Sequence, residues 1–352
     1  MGRYADPSGD RMDPTSAGGP EHYPRRRWMH RAIAEPSLAM GSLTSDHHRR
    51  RRFIMMWLGQ VITLRMRSLL GSLLRMILRL YPMERGKYWI LVNIYLPLLA
   101  PKAGKATVTT LRHGLRMKID PSEYLQAHLY LFGSYELPTI RHIRSFLTPG
   151  AVCVDVGAQM GYLSLAMATS AGRTTAVHAF EPEDMNAARF QENMALNSIS
   201  NVTLHREAVS NIEGTLHLFL SKTANAGTHS TVYNERNVTE ESIQIPATTL
   251  DAFVRTWSIE RVDLIKVDVE GAEFEVLQGA DHVLRTFRPR VILELSDVLQ
   301  ADRGMSSRQI KEFMVERGYA PFTIADDGAA VPSALDAPHV NDNVVFIPTE
   351  GE

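Results

Sequence analysis

"AVCVDVGAQMGYLSLAMATSAG", residues 151–172, decides how this chain is organised. Its opening residues are apolar apart from Asp155, which is the content of a buried strand. A tight turn follows at Gly157, and a helical pattern then runs from Met160 to a glycine stop at Gly172. Strand, short loop and helix in that order begin a parallel sheet with its crossover helices.

The same alternation continues downstream. "TTAVHAFEP" (174–182) reads as a second strand, "EDMNAARFQENMALN" (183–197) as a helix and "NVTLHREAVS" (201–210) as a third strand. "RVDLIKVDVEG" (261–271) and "RPRVILELSD" (288–297) add two strands, each followed by helical pattern. "SSRQIKEFMVERGY" (306–319) is a capped helix with a glycine stop, and "HVNDNVVFIP" (339–348) is the closing strand. Upstream, "YLFGSYELPTIRHIRSFLTPG" (130–150) reads as one helix ended by Pro149-Gly150. The fold class is therefore α/β, a mostly parallel sheet with helices on both faces.

Ligands of such sheets sit at the carboxyl ends of the strands, where the winding reverses. Each strand end here carries an acid: Asp155, Glu181, Glu207, Asp268 with Glu270, and Glu294. Five acid-bearing strand ends on one rim make an anionic crevice that disfavours an anionic ligand. The first loop agrees. Its glycines, Gly157 and Gly161, are spaced G-x-x-x-G, and the positions that a dinucleotide fingerprint needs as glycine are Gln159 and Tyr162. A NAD-type cofactor is disfavoured, no P-loop is present, and a cationic nucleoside without phosphates, such as S-adenosylmethionine, fits the rim better. Glu181, 24 positions after Gly157, takes the place of the acid that accepts hydrogen bonds from ribose hydroxyls; a carboxylate capping the next helix is the competing reading. Glu207, with Ala208 beside it, falls near the adenine edge. Asp155 either orients the first loop or meets the charged methionine part.

The remaining composition bounds the rest. The chain has 352 residues, 44% hydrophobic and 22% charged, as a soluble globular protein does. One cysteine, Cys153, excludes an internal disulfide framework and a cysteine-rich zinc site, and its apolar surroundings make it a small buried hydrophobe. The net charge of −1 conceals an asymmetry: residues 1–118 hold 21 basic and 7 acidic residues, and the rest of the chain is strongly acidic. Residues 1–52, rich in Pro, Gly, Ser and Arg, have no helical or strand period and read as a disordered basic tail. Its arginine runs suit nucleic acid or anionic lipid, and equally a leader ahead of a later start at Met40, Met55 or Met56.

Residues 53–119 form a basic, helical region. Within it, 53–82 place Gln60, Ser68, Ser72, Arg75 and Arg79 on one face of a helix, opposite a broad apolar face. Such a helix lies in a membrane interface or packs on the domain or a second subunit; four arginines make it a poor spanning segment. The expected location is the cytoplasm, with peripheral membrane contact through 53–82, and no nucleic-acid partner is expected.

Several segments together resemble the FkbM-type S-adenosylmethionine-dependent methyltransferases: "VDVGAQMGYLS", "FEPEDMNAARFQENMALN", "LHREAVSNIEGTLHLF", "TTLDAF", "DLIKVDVEGAEFEVLQGA" and "PRVILELS". The resemblance runs from about residue 120 to 347. It implies a Rossmann-like class I methyltransferase fold over 120–348 with a seven-stranded sheet, S-adenosyl-L-methionine as cofactor, and methyl transfer to hydroxyls of sugars or polyketide-like products. Gln159 departs from the family's usual asparagine and keeps the amide. The expected cofactor residues are Asp155, Gly157, Gln159, Gly161, Glu181, Glu207 and Ala208.

For catalysis, a hydroxyl nucleophile gains from a base beside the methyl group. Asp268 and Glu270 are the candidates, both aimed into the crevice if the chain stays extended, with Lys266 available to pair with either. An internal ion pair that anchors the turn is the competing reading. Glu273 and Glu275 open the next helix and favour its dipole. Residues 221–251 interrupt the alternation as a substrate lid that carries His229, a second candidate base. A metal is not required: Asp268, Glu294 and His229 have no spacing that demands one. The competing functions are a dehydrogenase and a catalytically inactive S-adenosylmethionine-binding protein held to a membrane or partner by its basic helix. The acceptor and the oligomeric state are not encoded in any readable motif.

Overall fold

A computed structural model describes residues 64–80, 86–222, 229–233 and 238–349. The expected tail over 1–52, the first part of the 53–82 helix and part of the 221–251 segment lie outside the described residues. Thirteen strands are described. They are β1 (Thr107–Thr110), β2 (Arg116–Ile119), β3 (Val152–Val156), β4 (Ala176–Phe180), β5 (Val202–His205), β6 (Ala208–Val209) and β7 (Gly214–Ser221). β8 (Val238–Thr248), β9 (Leu264–Val267), β10 (Arg290–Leu295), β11 (Tyr319–Ile324), β12 (Ala330–Pro332) and β13 (Asp342–Pro348) complete the set.

The main sheet has the order β12-β11-β13-β10-β9-β3-β4-β5. The run from β10 to β5 is parallel, while β13, β11 and β12 are antiparallel. The chain winds outward from β3 to β5 and returns to β9 beside β3, so the winding reverses between β3 and β9. That is the switch point at which such sheets bind ligands.

Period-two alternation divides the sheet between two cores. Cys153, Leu264 and Ile292 face the helices Leu137–Phe146, Tyr162–Ser170 and Asp184–Leu196. Val154, Val156, Ile265, Val267, Val291 and Leu293 face Leu250–Thr256, Glu273–Gln278 and Ser307–Val315. Each such fully buried aliphatic side chain contributes about 1.5–3 kcal/mol.

Three expectations are corrected. The sheet has eight strands, because Asp327-Gly328 turns β11 back into the edge strand β12. The stretch 201–210 bends at Arg206-Glu207, so only β5 joins the main sheet, while β6 pairs with β8 in a separate sheet ordered β6-β8-β7. The single helix expected over 130–150 is two, Tyr124–Phe132 and Leu137–Phe146. Gly133, at φ 75°, closes the first in a left-handed cap, and Pro138 opens the second. Glu136, at φ 44°, stands in the break. The hairpin β1–β2 gave no sequence signal strong enough to read.

Candidate active site

At the switch point the loop after β3 is packed against the end of β9. Gly157 has φ 81°, and a Cβ there would overlap the Asp268 carbonyl oxygen. Only glycine allows that approach. Gly161, at φ 87°, caps the helix Tyr162–Ser170 and lies flat against the Phe190 ring, where a side chain would collide. Between them Gln159 is also left-handed, at φ 50°. Asparagine tolerates that conformation better than glutamine, which is a physical reason for the family's usual residue at this place.

Glu181, just past β4, holds this loop from the other side. Its Oε2 accepts from the Gln159 amide at 2.8 Å, and its Oε1 accepts from the Glu183 amide at 2.9 Å and from Asn186 Nδ2 at 3.4 Å. Glu183 itself caps the following helix by accepting from Met185 and Asn186, so that task does not fall to Glu181. Burial pushes the Glu181 carboxyl up to about 7. A cleft opens here, lined among others by Gly157, Gln159, Glu181, Glu207, Ala208, Asp268 and Glu270. Burial also raises the Glu207 carboxyl. A larger hollow of about 320 Å³, bordered by Arg288 and Arg290, opens at the opposite, amino ends of the strands, away from the switch point.

Asp155 and Gly161 do not reach the cleft. Asp155 is buried behind it, where it accepts a short hydrogen bond from Ser164 Oγ and ties the helix to β3. Burial lifts its carboxyl to about 6. Of the two roles expected for Asp155, orienting the first loop is the one its position serves.

The run "LIKVDVEGAE" now has a structural explanation. In the parallel register Lys266 lies opposite Asp155 on one side and Ile292 on the other. Two residues beyond Ile292 is Glu294, whose register partner on β13 is Asn343. Asp155, Lys266, Glu294 and Asn343 thus fall on one face near the sheet's carboxyl rim. Glu136 meets them from the helix break, accepting from Asn343 Nδ2 at 2.8 Å. Lys266 is fully buried, with Nζ 3.4 Å from Asp268 Oδ2. Burial alone would lower its ammonium, but Asp268, Glu136, Glu294 and Asp155 outweigh it and raise it above the usual lysine range. Burial, then the charge on Asp268, holds Glu294 well above the carboxylate range, and Glu136 is raised mainly by burial.

The chain does not stay extended past Val267. It turns at Glu270, φ 53°, and Gly271, φ 102°. Both Asp268 and Glu270 still border the cleft, and burial with the nearby Asp268 and Glu273 charges lifts Glu270 well above its usual range. Glu273 secures the turn by accepting from Val269 at 3.2 Å and Gly271 at 3.1 Å. His229 lines the cleft too, but its Nδ1 accepts from the Ser221 amide at 2.8 Å. That bond occupies the lone pair a neutral imidazole would use as a base. Next to it, Ser230 Oγ donates to the Glu270 carbonyl at 2.9 Å, so this piece of the 221–251 segment is pinned over the turn.

Sequence reasoning missed Glu136 and Asn343. The Gly133…Pro138 interruption was the available signal for the first. Glu136, Asp268 and Glu294 offer oxygen atoms within 4.8 Å of one another, a trio that replaces the Asp268, Glu294 and His229 grouping considered from sequence. Lys266 already supplies a cation to these acids.

Residues 155–321 match the family profile described as Methyltransferase FkbM domain. "Methyltransferase 1" of Beauveria bassiana is 29% identical over 41% of this chain and 64% of its own length. "Hexuronic acid methyltransferase AglP" of Haloferax volcanii is 31% identical over 38% of this chain and 51% of its own length. The chain thus spans less than two thirds of the length of either relative. The crystal structure of a methyltransferase FkbM from Methylobacillus flagellatus superimposes with a TM-score of 0.36 at 15% identity, over 57% of this chain and 44% of that one. Residues 155–321, just under half of the chain, thus match the FkbM methyltransferase domain.

Proposed function

We propose that this protein transfers a methyl group from S-adenosylmethionine to a hydroxyl of an uncharged polyhydroxy acceptor of the glycan type. The carrying observation is the Gly157–Asp268 contact and the Glu181 clamp at the switch point, which leave a cleft edged by carboxylates. Among the described residues no lysine or arginine lines it to hold a phosphate. The donor set suits a cationic nucleoside: Glu181 keeps acceptor capacity for a ribose diol after its three protein bonds, and Glu207 and Ala208 border the side where a base would lie. Bound there, the cofactor supplies a methyl group on a positively charged sulfur.

The chain's own residues position the acceptor and take its proton. Lys266 orients Asp268 at the cleft edge, and Asp268 accepts the hydroxyl proton as the new bond forms. Glu294 and Glu136 sit close enough to share that proton with it. Glu270, held by its turn and by Ser230, shapes the acceptor side. Most of the rate enhancement assigned here is placement of two reactants in line. Support for a sugar-type acceptor comes from the name of the Haloferax relative.

The test is methyl transfer from labelled S-adenosylmethionine to a panel of hexuronic acids, neutral sugars and hydroxylated polyketides. Labelled product that disappears with Asp268→Asn supports the assignment. Full activity in Asp268→Asn, or label on none of the panel while the cofactor binds, refutes the assigned base or the acceptor class respectively.

A further inference from the structure

The helix Leu64–Leu80 is amphipathic, as its sequence pattern predicts. Arg75 and Arg79 face the protein. Arg75 Nη2 donates to Thr109 Oγ1 at 2.6 Å, and its guanidinium lies 4.5 Å from the Tyr130 ring centre. Arg79 donates to the carbonyls of Thr110 at 2.7 Å and Tyr130 at 3.0 Å and to Thr109 Oγ1 at 3.2 Å. Gly71, Leu74 and Leu78 complete that inner side, which packs on the helix Tyr124–Phe132 and on Leu91–Leu99. The outer side carries an apolar stripe, edged by the exposed Ser68 and Ser72: Leu69, Leu73, Met76, Ile77 and Leu80 are 70%, 47%, 55%, 51% and 80% exposed. At 100° per residue these five fall within one stripe about 16 Å long.

A contiguous apolar stripe turned to water marks a contact surface. Two features identify its occupant. The sequence just before the helix is "RRRRFIMMWLGQVIT" (49–63), a run of four arginines followed at once by apolar residues. Cationic charge ahead of an apolar helix complements a negatively charged bilayer surface and gives the two signals that stable peripheral attachment needs. Trp89, on the next short helix, is 54% exposed and has the amphipathic ring favoured at membrane interfaces. Among the described residues no helix is long and apolar enough to cross a membrane.

We propose that this helix lies in the interface of an anionic bilayer with Leu69, Leu73, Met76, Ile77 and Leu80 inserted, while Arg75 and Arg79 fasten the methyltransferase domain to it from behind. The membrane contact is thus made by the face opposite to the arginines. It stands independently of the reading of the cleft.

The experiment is co-sedimentation of the full chain with phosphatidylcholine vesicles, with and without phosphatidylserine, alongside Leu73→Glu combined with Met76→Glu. The wild type is expected to pellet with the anionic vesicles, less so as salt rises, and the double variant to bind about tenfold more weakly or worse. Unchanged circular dichroism shows that the variant is folded; should it not be, Leu69→Ala with Leu73→Ala serves instead, with a severalfold loss expected. Equal pelleting of wild type and variant overturns the proposal, as does the absence of pelleting. If the wild type sediments as a dimer without binding vesicles and the variant as a monomer, the stripe belongs to a second copy and the proposal is wrong.

Discussion

Two buried cations, Lys266 at the strand tips and Arg79 behind the amino-terminal helix, are handled in opposite ways. Lys266 is surrounded by carboxylates, which overcome its burial and raise its ammonium. Arg79 is met by carbonyls and a hydroxyl, with Arg75 and Arg112 nearby; burial and those cations lower it to about 10. A cation satisfied by neutral dipoles is an anchor, since nothing around it exchanges protons near neutral pH. A cation ringed by acids whose own protonation is raised is a site in which a proton can move. The same contrast separates the proposed attachment helix from the proposed catalytic rim.

The contrast breaks most severely at Lys266→Met. Removing the ammonium leaves Asp155, Glu136, Asp268 and Glu294 without their shared cation, so urea unfolding at pH 8 should show a loss of about 3–5 kcal/mol. The loss should shrink toward pH 5, where Glu136, Glu294 and Asp155, all raised, take up protons instead. A loss independent of pH would mean that the cluster is not electrostatically coupled. Asp268→Asn sharpens the comparison on the catalytic side. Its turnover should fall roughly a hundredfold to ten-thousandfold with cofactor affinity within a few fold, measured by single-turnover label transfer.

Gly157→Ala should cost about 2–4 kcal/mol in thermal unfolding, because it combines a left-handed φ with a Cβ placed on the Asp268 carbonyl. Glu181 gives a smaller, pH-dependent effect. Its folded carboxyl titrates at about 7 rather than 4.5, so the folded protein keeps this proton as pH rises from 4.5, and ionising it destabilises the fold through pH 7. Stability of the wild type relative to Glu181→Gln should therefore decline between pH 5 and 8, while cofactor affinity rises over the same range. On the anchor side, Arg79→Met removes one guanidinium from three acceptors and should cost only about 1–3 kcal/mol, with a pH-independent loss between 5 and 8.

The strands β3, β4, β5, β9, β10 and β13 and the helices that link them were legible because period-two and period-3.6 patterns are local, whereas β11 and β12 went unread. The rim acids were legible because each sits at the end of such a pattern. What failed to show was set by tertiary packing. Glu136 reaches the cluster only because Gly133 and Pro138 break a helix that reads as continuous. Asn343 joins it because β13 runs antiparallel and begins where the parallel strands end. Asp155 read as a cleft residue, yet Ser164 draws it behind the loop. The orientation of Leu64–Leu80 was open for a similar reason: hydrophobic periodicity identifies two faces and does not say which one meets the domain. Here Arg75 and Arg79 find carbonyls and a tyrosine ring, so the polar face is the one that docks.

The most direct measurement is calorimetric titration of the full chain with S-adenosylmethionine, beside NAD and beside the Glu181→Ala protein. A switch point built from Gly157, Glu181 and Asp268 predicts saturable binding of S-adenosylmethionine, none of NAD, and roughly tenfold to hundredfold weaker binding in Glu181→Ala. Binding unaffected by Glu181→Ala would contradict the placement of the cofactor, and no binding by the folded wild type would contradict the proposed function itself.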